Sequence, residues 1–443
     1  MTAQLDRSHD PAARSWVASA NRAGSAFPIQ NQPLGVFRRP GGPAQIGVAI
    51  GDEILDLSAL DSAGLLGSAP PAIRDAIRTP TLNDLMALGR PAVRVLRQRL
   101  FELLLQGSAD SALVRDALVP CAEVALDLPA AVGDYTDFYA SIHHARNVGS
   151  MFRPEQPLLP NYAWVPIGYH GRASSLVVSG LPVRRPAGQI MEDGAAAPVF
   201  APTRLLDYEC EVGAWVAGEN ALGESVRMTD AEERLFGLCL VNDWSARDVQ
   251  KWEYQPLGPF LAKSFATSVS PWVVTMEALA PFRGAPAVRE DGMAGPLPYL
   301  ESPRNRESGG VDLDLEVLLA TEQMRREGIA PMRLSRSNLS SLYWTVAQLL
   351  THHASNGCNL RPGDLLASGT VSGPEPDSLG CLLELTQRGS RPVTLPTGEV
   401  RRFLADGDEV IMRGSCTRDG TVSIGFGECR AVILPARVPD PTR

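Results

Sequence analysis

Short apolar runs closed by glycine or proline recur along most of the chain, the pattern expected of strands and tight turns. Gln45 to Ile50 and Glu53 to Leu57 are two such runs joined by Gly51 and Asp52, which predicts a β-hairpin and the start of a small β domain. Pro91 to Gln106 changes period. There Val93, Leu96, Leu100, Leu103 and Leu104 fall on one helical face, with Pro91 suited to a first turn and Gly107 to a C-terminal cap. A boundary is expected near residue 125, giving a first domain over 1–125 and a second over 126–443. In the second, strands are expected at Ser174 to Ser179, Leu205 to Ala217, Phe236 to Val241, Val311 to Ala320, Asp364 to Gly369, Glu409 to Arg413 and Thr421 to Ile433. One clear helix is expected from Asn338 to Asn356, where Leu339, Leu342, Tyr343, Val346, Leu349, Leu350 and His353 recur at helical spacing before Gly357. Arg283 to Gly310, rich in Gly, Pro and charge, reads as a surface excursion. The fold class is mainly β with some helix.

Two strands bring acids together. In Leu205 to Ala214 alternation puts Asp207, Glu209 and Glu211 on one face, where mutual repulsion disfavours ionisation unless water or a hard divalent cation offsets it. An acidic strand facing solvent is the simpler alternative. Phe236 to Val241 is almost wholly apolar, as in a buried strand, and delivers Asn242 and Asp243 at its end. If SARDVQKWEY then turns helical, Arg247, Gln250 and Tyr254 project from one face, and Asp243 is either a site residue or the helix cap.

At 443 residues the chain exceeds the roughly 250–300 at which one core stops growing, so two domains are expected. The 40 glycines and 36 prolines favour many turns, and a net charge of −9 disfavours a nucleic-acid partner. Seven scattered cysteines with no CxxC pair suit reduced thiols, and neither a signal peptide nor a run of about 18 apolar residues is present. A cytoplasmic protein without membrane contact is expected.

The densest chemistry lies in 134–171, which carries three of the six histidines and four tyrosines without amphipathic period, and reads as a loop. His144 there is not needed for packing, so a site role is favoured. His170, between Tyr169 and Gly171, could be structural or substrate-facing; His352 and His353, on the expected helix, read as structural. Arg361 to Gly373 reads as turn, strand and Gly-rich turn, which puts Thr370 at a strand end. Nucleophile-elbow, GxGxxG and Walker patterns are absent.

The blocks FPIQNQPLGVF, DYTDFY, HH with NVG, PIGYHGRASS, LLDYECE, VNDWSARDVQKWEYQPLGPFLAKSF, SPWVV and LTHHASNGCNLRPGDLLASGT together resemble the fumarylacetoacetase family over nearly the whole chain. The early block is not shared by the shorter acylpyruvate hydrolases of the same superfamily. The resemblance implies a small SH3-like N-terminal barrel, a large β-roll, a homodimer and metal-dependent hydrolysis of a carbon–carbon bond in a dicarboxylate diketone. It implies Asp137, Glu209, Glu211 and Asp243 as ligands of Mg2+ or Ca2+, with Lys263 and Thr267 at a second, magnesium-type position. It implies His144 as general base oriented by Glu384, and contacts to substrate from Tyr139, Arg153, Tyr169, Gln250, Tyr254 and Thr370. Arg247, Gln250 and Lys263 are then natural donors to an oxyanion. Arg146, where the family loop has Thr, and Ala262 and Ala266, in place of glycines, depart from that pattern. A hydrolase or decarboxylase of a shorter keto acid, or a silent binding scaffold on the same fold, are the alternatives.

Overall fold

The computed structural model describes residues 5–437. Near the N-terminus lie strands β1 (Leu34–Arg38), β2 (Ala44–Ile50) and β3 (Glu53–Asp56) and helix α1 (Asn83–Leu104). Next come β4 (Tyr135–Phe138), α2 (Ile142–Phe152), β5 (Gly168–His170), β6 (Leu206–Asp207), β7 (Cys210–Val216), β8 (Leu235–Asp243) and α3 (Arg247–Glu253). The remainder supplies β9 (Thr267–Val269), β10 (Trp272–Thr275), β11 (Asp314–Ala320), β12 (Met332–Asn338), α4 (Val346–Ala354), β13 (Leu365–Ala367), α5 (Leu382–Leu385), β14 (Glu409–Cys416) and β15 (Ile424–Leu434).

The expected hairpin is present, β2 pairing with β3 through a turn in which Gly51 takes φ 58°. Its sheet continues without a break: β3, β2, β1, β10, β8, β7, β13, β4 and β5 are successive neighbours. A second sheet orders β12, β11, β14 and β15. The arrangement is a mixed α+β fold dominated by sheet.

Burial on both faces explains why β8 reads as an unbroken apolar run rather than an alternating one. Leu238 and Leu240 pack with Leu315, Met412 and Phe426 of the second sheet, while Phe236, Cys239 and Val241 pack with α1 and the hairpin. The amphipathic run from Pro91 belongs to a longer helix, α1, broken at Gly89, where φ is 72°.

Three expectations change. The helix expected from Asn338 is only α4, because β12 runs to Asn338 and a 3-10 turn follows; Leu339 and Leu342 are buried, so their spacing reports packing rather than helix. Helix α4 starts at a capping box of Thr345 and Gln348. The excursion from Arg283 is tied at its base, Arg283–Gly284 pairing with Gly310–Val311. Finally, 134–171 is not one loop: it contains β4, α2 and β5.

Candidate active site

Strand register gathers the acids. In the antiparallel β7/β8 pair Cys210 faces Asn242 and Glu211 faces Val241, so the start of β7 meets the end of β8, where Asp243 stands. Strand β13 joins β7 to β4, with Ala367 paired to Gly213 on one side and to Asp137 on the other. Asp137, Glu209, Glu211 and Asp243 are all buried, and each offers an oxygen within 4.8 Å of the others. Asp243 therefore ends a strand and does not cap α3, whose N-cap is Ala246. Asp207 does not share their face. The strand is interrupted at Tyr208 and Glu209, between β6 and β7, and the Asp207 carboxylate turns to Arg247, whose Nε donates to it at 2.9 Å.

Protein donors reach only part of this cluster. Asp243 accepts from Thr267 Oγ1 at 2.7 Å, from Lys263 Nζ at 2.7 Å and from the Tyr169 hydroxyl at 2.9 Å. Glu209 pairs with Lys263 and, at 2.6 Å, with Arg247 Nη1. Asp137 Oδ1 and both Glu211 oxygens have no hydrogen-bond partner. Burial and the neighbouring acids push Asp137 and Glu211 well above the ordinary carboxylate range. Glu209 is also desolvated, yet Lys263 and Arg247 hold it low. Lys263 is likewise buried, but Asp243 and Glu209 keep it charged far above neutrality. Four buried carboxylates thus face Lys263 and an Arg247 shared with Asp207. An all-oxygen donor set with unpartnered atoms and excess negative charge fits a hard divalent cation.

Beside this cluster stands an acid–base pair. Helix α2 is capped by Ser141, whose Oγ accepts the His144 N–H, which fixes His144 in the first turn, buried. His144 Nδ1 lies 2.6 Å from Glu384 Oε2. An ionised carboxylate can only accept, so Nδ1 carries the hydrogen, and in the neutral imidazole the lone pair is then on Nε2. Glu384 also accepts from Ser372 Oγ at 2.9 Å, Cys381 Sγ at 3.2 Å and Asn147 Nδ2 at 2.8 Å. Despite near-complete burial, His144 and these donors hold Glu384 below its ordinary value. The Tyr139 ring meets His144 edge-on at 5.3 Å.

The other expected contact residues divide. Arg247 Nη1 donates to Gln250 Oε1 at 3.1 Å, and Nη2 lies 2.9 Å from Asp207 Oδ2 in an ion pair. Thr370 is buried with its hydroxyl unpartnered; Gly369 turns the chain there with φ 74°, and a Cβ on it would lie 2.1 Å from the Phe138 carbonyl. Tyr254 is exposed at the end of α3, and Arg153 is exposed with its guanidinium donating to the Pro157 carbonyl. Neither is drawn to the carboxylates. A cavity of about 180 Å³ opens on Asp243, Lys263 and Thr267 and is lined by Tyr169 and His170.

The sequence profile described as fumarylacetoacetate (FAA) hydrolase C-terminal matches residues 134–434, and that described as fumarylacetoacetase N-terminal matches 30–129. Bovine fumarylacetoacetase is 50% identical over 423 residues, covering 93% of this chain and 97% of the bovine protein. The chain belongs to the fumarylacetoacetase family. Human fumarylacetoacetase is likewise 50% identical over 421 residues, covering 94% of this chain and 98% of the human protein. Among solved structures, the fumarylacetoacetate hydrolase of Exiguobacterium antarcticum superposes with a TM-score of 0.50 at 18% identity, covering 92% of this chain and 100% of its own, and so shares the fold.

The departures from the family pattern are accommodated. Arg146 points away from the His144–Glu384 pair and makes a two-pronged ion pair with Glu290, at 2.8 and 2.9 Å, from the surface excursion. Ala262 packs with Ile190, Ala246 and Val249, and Ala266 is buried in the main core. Asn147, Ser372 and Cys381 were not anticipated. Asn147 follows His144 by three residues, so a helix expected over this segment points both side chains one way. The described helices include none long and apolar enough to cross a membrane.

Proposed function

We propose that this protein hydrolyses the carbon–carbon bond of 4-fumarylacetoacetate, giving fumarate and acetoacetate, as the last step of tyrosine and phenylalanine breakdown. The observation that carries this reading is the buried His144–Glu384 pair standing beside a partly unpartnered carboxylate cluster, in a chain half identical to fumarylacetoacetases along nearly its whole length. His144 Nε2 takes a proton from the attacking water, and Glu384 holds the tautomer and stabilises the imidazolium that results. Water adds to the carbonyl of the fumaryl group, the bond from that carbon to the neighbouring methylene breaks, and acetoacetate leaves as its enolate, which is then protonated at carbon. Arg247, Lys263 and Gln250 meet the oxyanion. Asp137, Glu209, Glu211 and Asp243 would hold Mg2+ or Ca2+, with Lys263 and Thr267 beside it. When bound, that cation supplies Lewis acidity towards the diketone oxygens and the enolate. Tyr139, Tyr169, Gln250, Tyr254 and Thr370 contact substrate, and Arg153 pairs with a terminal carboxylate.

The same reading takes residues 1–125 as an SH3-like barrel and 126–443 as a β-roll, in a cytoplasmic homodimer that binds neither nucleic acid nor membrane. The rival is a shorter keto acid as substrate. Polar groups such as the buried Thr370 hydroxyl would then be left unpaired, at a cost in selectivity. Comparing kcat/KM for fumarylacetoacetate with that for acylpyruvates and oxaloacetate tests the assignment. A preference for the shorter substrates moves the protein to the rival reading.

A further inference from the structure

Asp207 is the one member of the acidic run that the proposed chemistry leaves unused, and its carboxylate is fully buried. One oxygen accepts the backbone N–H of Tyr208 at 2.9 Å and of Leu382 at 2.8 Å. The other accepts the N–H of Leu383 at 3.0 Å and Arg247 Nε at 2.9 Å, with Arg247 Nη2 also 2.9 Å away in ion-pair contact. Leu382 and Leu383 open α5, the turn that carries Glu384, and its N-cap residue Cys381 provides no side-chain cap. A carboxylate from β6 therefore satisfies the free N–H groups of that turn in place of a local cap.

The same carboxylate aims Arg247. With Nε and Nη2 against Asp207 and Nη1 on Glu209 and Gln250, the guanidinium plane is fixed. Asp207 thus touches both halves of the proposed machinery: the turn bearing the carboxylate that orients His144, and the guanidinium that meets the developing oxyanion. We infer that Asp207 is a positioning residue that sets the separation of these two groups. The inference rests on the roles given above to His144, Glu384 and Arg247.

Asp207→Asn tests it. Either amide orientation turns an NH2 toward two donors, so both the α5 turn and Arg247 lose register. The expected result is a fall in kcat of about a hundredfold or more with KM changed less than about threefold, because what is lost acts in the transition state. Adding Arg247→Lys or Glu384→Gln to Asp207→Asn is expected to lower kcat by a much smaller factor than the same change in the wild type, since the position it disturbs is already lost. A purely structural residue gives the opposite: lower thermal stability, near wild-type kcat per folded molecule, and second substitutions acting at full strength. That outcome overturns the inference. If Asp207→Asn does not fold, Asp207→Glu, which keeps the charge but displaces the carboxylate by one methylene, carries the same test: reduced kcat at unchanged KM supports it and wild-type kcat overturns it. Wild-type protein that fails to cleave fumarylacetoacetate defeats the functional reading itself, and is a separate result.

Discussion

Replacing Glu384 by Gln removes one charge from the proposed acid–base pair while the neighbours hold the geometry. Three donors converge on Oε2, namely His144 Nδ1, Ser372 Oγ and Cys381 Sγ, against one, Asn147 Nδ2, on Oε1. The glutamine oxygen is therefore expected at the Oε2 position and its NH2 towards Asn147, whose amide can flip to accept it. The His144 tautomer survives, and the missing term is the charge that stabilises imidazolium as water is deprotonated. Hydrogen bonds to charged groups contribute roughly 1.5–3 kcal/mol, and each ~1.4 kcal/mol is tenfold in rate, so kcat is expected to fall roughly 10- to 200-fold with little change in KM. The assay is loss of fumarylacetoacetate absorbance at saturating divalent cation, with unfolding temperature measured alongside. A variant that keeps kcat within about twofold of wild type refutes the assignment of Glu384.

His144→Ala is expected to lower kcat by roughly 10²–10⁴, the range of general base catalysis, whereas His143→Ala, half-buried near Arg146, stays near wild type; steady-state kinetics of both variants checks this, and equal damage contradicts it. Cation binding should stabilise the protein more at a pH well above 4 than near pH 4. The sign follows from the raised pKa values of Asp137 and Glu211: without cation, both keep protons that unfolded carboxylates lose near pH 4, so stability falls as pH rises from there through the folded values, and a cation that displaces those protons gains affinity over the same span. Calorimetry in chelator and in added Mg2+ or Ca2+ measures it, and an equal shift in unfolding temperature at both pH values counts against the site. Glu211→Gln removes a carboxyl that must either hold a proton or carry a charge among other acids, so the chelated variant should unfold at a higher temperature than chelated wild type while gaining less from added cation; each pKa unit of strain relieved is about 1.4 kcal/mol. A chelated variant less stable than wild type opposes this.

How much of the site could be read in the sequence depended on what surrounds each residue. Glu209, Glu211 and Asp243 announced themselves by position, on an alternating run and at the end of a wholly apolar one. Asp207 was grouped with them because alternation does not reveal an interruption of the strand, and β6 and β7 read as one strand. Asp137 and Glu384 were reached only through the family resemblance. Glu384 lies 240 residues from His144, so no local pattern could pair them. Helix α2 escaped notice for a physical reason: part of its inward face is His144 and Asn147, turned to a polar partner, so the apolar repeat that marks a core-facing helix is diluted there. The helix expected from Asn338 failed the other way, since buried residues in a strand end and a turn fell by chance at helical spacing.

In the proposed reaction, water deprotonated by His144 cleaves a carbon–carbon bond of fumarylacetoacetate. Turnover in water enriched in heavy oxygen, with mass analysis of both products, tests it most directly. The expected result is fumarate carrying one solvent oxygen in a carboxylate, acetoacetate formed in equal amount, and both products formed roughly 10²–10⁴ times more slowly by His144→Ala. Unlabelled fumarate, or labelled fumarate at an undiminished rate from His144→Ala, contradicts it.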